Sequence, residues 1–496
     1  MELLKNKISN LETHFQPFRK NIVGINQTFM SPYGEQQLVY TDWTASGRLY
    51  RPIEDKLLND FGPFVANTHT ETSTSGALMT LAYHEARSII KKHVNASKDD
   101  VLITQGSGMT GLINKFQRIL GLKVSENLKD YTTIPDAIKP IVFVSHMEHH
   151  SNQTSWLETI ADVEVVPCDE AGLLCLNTFE AFVKKHENRT LKIAAITSCS
   201  NVTGIKTDYH KVAEIMHKHN GLCFVDFACS APYVNIDMHP ENENQYLDAI
   251  YFSPHKFLGG PGSAGVLIFN KKLYKNIIPD SPGGGTVSFT NPWGGHGYFD
   301  DIETREDGGT PAFLQTIKIA LAIKVKDAMG VENIHKRENE INTKLFDTLE
   351  QLEDVKILAP QHKQRLGIFS FYFEKYHYNL VVKLLNDRFG IQTRGGCSCA
   401  GTYGHFLLNV DQDKSNAIAN QILEGCNLEK PGWVRLSIHP TMTNNEVTFV
   451  CNALKKLAFN IENWSKDYTY NIKTNNYIHK TSILDERKLV EGWFGL

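Results

Sequence analysis

Runs of buried-strand character alternate with helical patterns along the first half of the chain. Residues 141–144, 193–196, 222–225 and 266–269 are short apolar runs without alternating polar positions. Continuous apolar runs of this length are typical of strands that are covered on both faces. A helical pattern at 209–219 separates two of the runs. We therefore predict an α/β fold with a mainly parallel sheet between layers of helices, and a ligand site at the carboxyl ends of the strands.

The second half of the chain predicts a smaller α+β domain. Residues 313–329 and 332–352 have long helical patterns, and strand-like runs at 368–373 and 433–438 follow them. These patterns predict four parts: an N-terminal segment over 1–40 that packs with the small domain, a large domain over 41–300, the small domain over 301–463, and a C-terminal tail over 464–496 whose role the sequence does not assign.

Composition excludes several classes of protein. The 496 residues are 41% hydrophobic and 21% charged, and the net charge of −4 gives no strong field toward nucleic acid or an anionic membrane. No apolar run is long enough to cross a bilayer, and the first residues lack the apolar core of a signal peptide, so we expect a cytoplasmic protein. The nine cysteines are odd in number and irregular in spacing, which argues against a disulfide framework.

Lys256 lies in an apolar setting that is unusual for a lysine. The apolar run 249–252 precedes it, and the glycine-rich stretch 258–262 and a second apolar run over 264–269 follow. Desolvation lowers the pKa of an amine and leaves it able to condense with a carbonyl group. Lys256 is therefore a candidate Schiff-base lysine.

Two other strand ends could complete a cofactor site. The run 222–225 ends in Asp226, which is either a capping residue or the partner of a buried cation such as a pyridinium nitrogen. Residues 104–111 follow another apolar run and open a helix, so their backbone N–H groups could cradle a phosphate, although an ordinary helix start fits equally well. This loop matches neither the P-loop pattern nor G-x-G-x-x-G, which disfavours nucleotide binding.

His149 and His150 follow the run 141–144 and suggest a metal site at first sight. No carboxylate or cysteine lies at a recognised zinc spacing from them, so a ring-stacking or proton-transferring histidine is the better functional interpretation. A buried histidine with a purely structural role remains the alternative for each one taken singly.

Taken in order, these motifs resemble a known enzyme family. Residues 147–150, 200–204, 225–228 and 253–256 match the class V aminotransferase family from about residue 40 to about residue 458. Within that family the chain looks most like the cysteine desulfurases and selenocysteine lyases, which use pyridoxal phosphate (PLP). The resemblance implies the PLP-dependent transferase fold of type I.

The resemblance also implies roles for the residues of the PLP site. Lys256 would hold PLP as a Schiff base, Asp226 would pair with the pyridinium nitrogen, and His149 would stack on the ring and shuttle protons. The remaining implied contacts are to the phosphate from Thr110, Ser253 and His255, with Gly108 and Met109 lining the loop, and to the cofactor O3′ or the substrate carboxylate from Asn201.

Residues 305–311 resemble the segment by which one subunit reaches the phosphate of its neighbour. Thr310 would make that contact, which implies a homodimer.

The cysteine-containing loop implies the reaction. In the run 394–400, Cys399 precedes an alanine and matches the cysteine that accepts sulfur in the family, while Arg394 and His405 are its neighbours in sequence that would favour the thiolate. Arg435 matches the arginine that binds the substrate α-carboxylate, for which a guanidinium is well suited. The implied activity is removal of sulfur from a small amino-acid substrate, L-cysteine, giving alanine and an enzyme persulfide that a sulfur-acceptor protein could receive.

The chain departs from the family pattern at three places. Cys229 stands where glutamine is usual, Cys399 and Arg435 lie 36 residues apart, and Cys397 adds a second cysteine to the loop. A class V PLP enzyme without persulfide chemistry, such as an aminotransferase, an epimerase or another amino-acid lyase, is the alternative and would not need Cys399. A zinc protein built on the two histidines and the cysteine pair is a further alternative.

Overall fold

The structure is a computed structural model, and it describes residues 10–68, 70–136, 138–425, 427–428, 430–481 and 486–495. Within these residues the α-helices are α1 (Asn10–Arg19), α2 (Arg51–Lys56), α3 (Thr74–His93), α4 (Met109–Ile119), α5 (His150–Leu157), α6 (Leu176–Lys185), α7 (Tyr209–Lys218), α8 (Ile302–Arg305), α9 (Phe313–Met329), α10 (Val331–Leu349), α11 (Tyr378–Phe389), α12 (Gly401–Leu407), α13 (Gln412–Leu423), α14 (Asn444–Trp464) and α15 (Glu486–Trp493).

The strands of the same residues are β1 (Thr28–Ser31), β2 (Gly34–Gln37), β3 (Val39–Tyr40), β4 (Asp100–Gln105), β5 (Ile141–Ser145), β6 (Asp162–Val166), β7 (Lys192–Thr197), β8 (Leu222–Asp226), β9 (Ala249–Phe252), β10 (Gly265–Asn270), β11 (Val287–Thr290), β12 (His296–Tyr298), β13 (Val355–Ile357), β14 (Ile368–Phe373), β15 (Ile391–Gln392), β16 (Arg394–Gly396), β17 (Trp433–Ser437), β18 (Tyr468–Asn471) and β19 (Asn476–His479).

A seven-stranded sheet forms the larger half, in the order β4-β10-β9-β8-β7-β5-β6. It is mainly parallel, as predicted, and β10 alone runs antiparallel to both of its neighbours. The connection from β9 to β10, residues 253–264, contains no α-helix, and its regular structure is the 3-10 turn Pro254–Lys256. Parallel neighbours are usually joined by a helical crossover. This connection instead reverses the chain beside the turn that carries Lys256.

Both faces of this sheet are buried, which explains the continuous apolar runs. Along β5, Ile141 and Phe143 belong to one core cluster and Val142 and Val144 to another, because successive strand residues point to opposite faces. Helices α3, α7 and α9 contribute to the first cluster, and α4 and α5 to the second. The polar residues that end β5, β7 and β8 thus emerge together at one edge of the sheet.

The smaller half is an antiparallel sheet in the order β13-β14-β17-β16. Helices α10, α11 and α14 cover it and share one apolar cluster with its strands. In the register of β16 and β17, Arg394 lies opposite Arg435. This sheet brings the cysteine loop, which follows β16, to the edge where the larger sheet presents its polar strand ends.

The segment before residue 41 contacts both halves. β3 pairs in parallel with β15, while Phe15 of α1 lies in the core of the larger sheet. Gly390 makes the first contact possible: its φ is +68°, and a Cβ there would lie 1.9 Å from the carbonyl oxygen of Gln37. The four domain boundaries stay a prediction.

The tail, which the sequence left unassigned, forms the hairpin β18–β19 and helix α15. The Tyr468 hydroxyl of this hairpin donates to Asp387 on α11 over 2.9 Å, which fixes the hairpin to the small sheet's helical layer. None of the described helices is long and apolar enough to cross a membrane.

Candidate active site

A cavity of about 550 Å³ opens at the carboxyl ends of the central strands, between the two halves. Its lining includes residues from β7, β8 and the turn after β9, together with the loop between β16 and α12. Eleven of the twelve residues to which the resemblance gives a contact with cofactor or substrate line it: Gly108, Met109, Thr110, His149, Asn201, Asp226, Ser253, His255, Lys256, Cys399 and Arg435.

Thr310, the twelfth, lines a neighbouring cavity of about 430 Å³ instead. Gly106 lines both cavities. The predicted contact of Thr310 with a neighbouring subunit stays a prediction.

Lys256 ends the 3-10 turn that follows β9. Burial lowers the pKa of its amine below the ordinary 10.5, and this effect outweighs the opposing influence of Cys229 and Asp226. The direction of the shift is the one expected from the apolar flanks. A neutral amine at this position can act as a nucleophile or accept a proton.

Asp226 ends β8, with one carboxylate oxygen accepting the N–H of Ala228 over 2.7 Å. Burial raises its pKa to about 6, although the Ala228 hydrogen bond and Lys256 both act in the opposite direction. A raised pKa means that the surroundings of this buried carboxyl do not supply enough positive charge to stabilise its ionised form. The site therefore suits a ligand that brings a cation, such as a protonated ring nitrogen.

His149 caps the N-terminus of α5: its Nδ1 accepts the backbone N–H of Ser151 over 3.1 Å. Burial, and then the charge of Lys256, lower its pKa to about 3, so the imidazole is neutral near pH 7. Because Nδ1 is the acceptor, the proton lies on Nε2. His149 thus presents a neutral ring to the cavity.

Glu148 is a buried residue that accepts hydrogen bonds at this edge of the sheet. Its carboxyl accepts from the backbone N–H of Thr197 over 2.8 Å, from the Ser145 hydroxyl over 2.6 Å and from the Asn152 amide over 2.7 Å. Burial nevertheless raises its pKa to about 8. Glu148 joins the ends of β5 and β7; it lies within the motif 147–150, which by itself predicts no role for it.

The loop before α4 has the features of an anion site. Gly108 caps this helix without a side chain, and the N–H of Met109 donates to the Ser253 hydroxyl over 3.0 Å. Thr110 Oγ1 lies 2.8 Å from Ser151 Oγ. Hydroxyl groups and backbone N–H groups at the start of an eleven-residue helix suit a phosphate group.

Arg435 and Asn201 form a second polar group at the opposite wall. Arg435 is 3% exposed; one of its terminal nitrogens donates to Asp42 over 2.8 Å and the other to the carbonyl of Asn201 over 3.2 Å. Among the residues that the structure describes, Arg435 Nε and Asn201 Oδ1 are buried and have no hydrogen-bond partner. A guanidinium with donors to spare suits a carboxylate ligand.

The cysteine loop is fastened over the cavity. The Asn201 amide donates to the carbonyl of Ser398 over 2.7 Å, and the backbone N–H of His150 donates to the carbonyl of Cys399 over 2.7 Å. Ser398 and Cys399 have φ angles of +54° and +57°, a strained conformation for residues other than glycine. The Cys399 side chain is exposed and also lines the cavity, so its thiol is open to both ligand and solvent.

Cys229 lies in the cavity wall beside a second cysteine, Cys199. Both thiols are within 4 Å of the Ser200 carbonyl, at 3.8 Å and 3.7 Å, respectively. Cys199 and then Lys256 lower the pKa of Cys229 against the effect of its burial. Cys397 instead packs in an apolar cluster with Tyr403 and Trp433.

The zinc alternative finds no support in the part of the chain that the structure describes. No cluster of three or more His, Cys, Asp or Glu side chains there could hold a metal ion. His150 Nε2 accepts the backbone N–H of Gly401 over 2.9 Å, so this ring nitrogen is engaged with the cysteine loop.

Sequence reasoning missed Asp42, which holds Arg435 and also accepts from Arg394 Nε over 3.0 Å. The only signal was an aspartate after the short run 39–40, which is too brief to distinguish from a loop. Arg394 was noted only as a neighbour of Cys399, although it lines the cavity.

The chain is similar to proteins of known families. A family model for the aminotransferase class V matches residues 39–450. A probable cysteine desulfurase of Staphylococcus aureus is 29% identical over 370 residues, which are 74% of this chain and 84% of that protein. One of Halalkalibacterium halodurans is 29% identical over 368 residues, covering 73% of this chain and 84% of the relative.

Solved structures share the fold. The apo structure of a cysteine desulfurase from Thermococcus onnurineus matches with a TM-score of 0.70 at 21% identity, over 89% of this chain and 98% of that one. The cysteine desulfurase CsdA of Escherichia coli matches with a TM-score of 0.69 at 20% identity, over 90% and 98% of the two chains.

Proposed function

The chain belongs to the class V aminotransferase family, and from that premise we propose that it is a PLP-dependent cysteine desulfurase. It takes sulfur from L-cysteine, releases alanine and keeps the sulfur as a persulfide on Cys399. The observation that carries the proposal is that Lys256, Asp226, Arg435 and the exposed Cys399 line one cavity. A PLP enzyme without persulfide chemistry would have no use for Cys399 in that position.

The residues present fit PLP. The buried carboxyl of Asp226 suits a cationic group, and the amine of Lys256 is desolvated. The start of α4, together with Ser253 and Thr110, suits a phosphate. PLP supplies an aldehyde that condenses with amines and a ring that withdraws electrons from the substrate. Asp226 would keep a proton on the ring nitrogen, and the neutral ring of His149 would pack against the cofactor.

Arg435 and Asn201 would hold the substrate by its α-carboxylate. The free Nε of Arg435 and its two terminal nitrogens offer donors in a planar array. Fixing the carboxylate would orient the α-hydrogen toward Lys256, whose desolvated Nζ would take that proton. Orientation of this kind removes much of the entropic barrier to reaction.

Cys399 would accept the sulfur. Its thiolate attacks the sulfur of the bound cysteine, so that an S–S bond forms while the substrate C–S bond breaks. The electron pair of the broken bond stays on the substrate carbon, which takes up a proton and leaves as the methyl group of alanine. The persulfide then passes to a sulfur-acceptor protein, which the exposure of Cys399 permits.

The proposal also includes the oligomeric state of the enzyme and its location in the cell. It acts as a homodimer in which Thr310 reaches the phosphate bound by the partner subunit, and it works in the cytoplasm. The location of Thr310 in a cavity beside the phosphate loop, with Gly106 in common, supports the shared site.

The test is purified protein with L-cysteine, measuring sulfide in the presence of a thiol reductant and alanine together. Cys399→Ala abolishes sulfide release, while Cys397→Ala, in the same loop, leaves it within about twofold of the wild type. Unchanged sulfide release by Cys399→Ala would reject Cys399 as the acceptor. A visible absorbance band that persists in Lys256→Ala would reject the Schiff-base assignment of that lysine.

A further inference from the structure

The carboxylate of Asp42 joins two arginines that line the catalytic cavity. Its Oδ1 accepts from Arg435 over 2.8 Å and its Oδ2 accepts from Arg394 over 3.0 Å. The Asp42 side chain is 13% exposed and that of Arg435 is 4% exposed, whereas that of Arg394 is 52% exposed. One carboxylate therefore holds a buried guanidinium and a half-exposed one together.

The two arginines need such a partner because of their register. Arg394 on β16 lies directly opposite Arg435 on β17. Like charges at directly opposed positions of an antiparallel pair repel each other. Asp42 offsets this repulsion and fixes the distance between the two guanidinium groups, while Arg435 Nε stays without a partner.

The segment that carries Asp42 also contacts the lysine turn. Asp42 forms a β-bridge with Ser437, the N–H of Thr44 donates to the Ser437 hydroxyl over 2.9 Å, and the N–H of Gly47 donates to the carbonyl of His255 over 2.9 Å. Thr44 itself and the next residue, Ala45, line the cavity. The segment is thus fixed at one end to the arginine strand and at the other to the turn of Lys256.

We propose that Asp42 is a positioning residue that holds Arg435 and Arg394 in the orientation that binds the α-carboxylate of the substrate. This inference rests on the proposed function for the identity of the substrate. Asp42 acts through the two guanidinium groups, because both arginines line the cavity and Asp42 does not.

Charge alone predicts the opposite effect of removing Asp42. A negative group near a carboxylate site weakens the attraction of that site for an anion, so its loss would tighten binding if position did not matter. Positioning and charge are therefore separable by two variants. Asp42→Asn removes the charge and keeps the shape, and Asp42→Glu keeps the charge but moves it by one methylene group.

The test measures the binding of two thiol probes to the PLP-loaded wild type and variants by calorimetry. 3-Mercaptopropionate carries the carboxylate and thiol of cysteine without the amine, and cysteamine carries the amine and thiol without the carboxylate. We expect both variants to bind 3-mercaptopropionate roughly tenfold more weakly, a change of about one charge-assisted contact, and cysteamine within roughly twofold of the wild type. The KM for L-cysteine rises in parallel.

Asp387→Asn is the matched control, because Asp387 is also a buried aspartate with an ion-pair partner, and it is held by Tyr468 and Lys383 away from the cavity. It should lower stability without changing the affinity for either probe. Binding of 3-mercaptopropionate that is unchanged or tighter in Asp42→Asn, or wild-type affinity in Asp42→Glu, would overturn the proposal. So would equal losses for the two probes.

The probes do not depend on desulfuration. A failure of the proposed function appears as absence of sulfide from L-cysteine in the wild type, while the probe affinities still report on Asp42. Should Asp42→Asn not fold, the affinity of Asp42→Glu for 3-mercaptopropionate still tests the proposal, since this variant retains a negative charge between the arginines. A wild type that does not bind 3-mercaptopropionate would contradict the assignment of the arginines.

Discussion

The backbone N–H of His150 donates to the Cys399 carbonyl over 2.7 Å, and the ring Nε2 of His150 accepts the N–H of Gly401, two residues after Cys399, over 2.9 Å. Burial lowers the pKa of this imidazole, which keeps it neutral and able to accept. The loop that carries the proposed sulfur acceptor is thus fixed to the start of α5, next to His149. The strained backbone of Cys399 is maintained by such contacts.

Replacing His150 by alanine should slow sulfide release without loss of PLP. The ring contact is worth about 1 kcal/mol, and a loosened loop misplaces the thiol, so we expect kcat to fall roughly tenfold with the absorbance of bound PLP unchanged. His210→Ala is the control, because His210 makes a comparable ring contact with the carbonyl of Gln245 on a helix remote from the cavity. Equal kcat values for the two variants would contradict a role for His150 in loop placement.

Asp226→Asn should stabilise the cofactor-free protein at alkaline pH. Because burial raises the pKa of Asp226 from 3.8 to about 6, its contribution to stability is fully present below pH 3.8 and is lost as the pH rises through about 6. Above that range the ionised carboxylate costs about 3 kcal/mol, which asparagine removes. Thermal unfolding of the two cofactor-free proteins should therefore diverge between pH 4 and pH 7, with the variant more stable at pH 8.

The same variant should lose affinity for PLP, since the partner of the ring nitrogen is gone. A difference in melting temperature that does not change with pH, or a variant that is less stable at pH 8, would show that Asp226 is not held at a raised pKa.

Glu148→Ala should destabilise the protein strongly. The substitution leaves the N–H of Thr197 and the amide of Asn152 buried without their acceptor, together with the Ser145 hydroxyl. Each stranded donor costs about 1 to 3 kcal/mol, and because such losses are not additive we expect a total of about 3 kcal/mol from urea unfolding. Glu158→Ala, whose side chain is 67% exposed and paired with Lys129 at the surface, should change stability by less than about 0.5 kcal/mol.

Gly390→Ala should lower the free energy of unfolding more than Gly121→Ala, although the two glycines have nearly the same backbone φ angle. Gly390 and Gly121 have φ angles of +68° and +69°, but an added Cβ meets the Gln37 carbonyl at 1.9 Å in the first and nothing within 4 Å in the second. Gly121→Ala carries the conformational strain alone, about 1 kcal/mol, whereas Gly390→Ala also pushes β3 away from β15. Similar unfolding free energies for the two variants would refute the steric argument.

Much of the fold follows from local patterns. The helix at 209–219 and the runs at 141–144, 193–196 and 222–225 became α7, β5, β7 and β8 with ends that moved by a residue or so. Continuous burial on both faces leaves a strong signature in the sequence because every position in the run must be apolar. A local feature also fixes the start of α3 at Thr74, because the Ser73 side chain accepts the N–H of Gly76 as the helix cap.

The sequence by itself determined the mainly parallel sheet, the family and eleven residues that line one cavity, because the motifs that carry them are local features of the chain. Thr310, which was expected beside them, lines a neighbouring cavity. The sequence did not determine the direction of β10, the partner of Arg435 or the contacts that hold the cysteine loop. Those depend on residues far apart in the chain, such as Asp42 with Arg435 and His150 with Cys399. Only the packing of the small sheet against the large one decided them. The sequence around a single carboxylate or imidazole does not indicate which distant group it will bind.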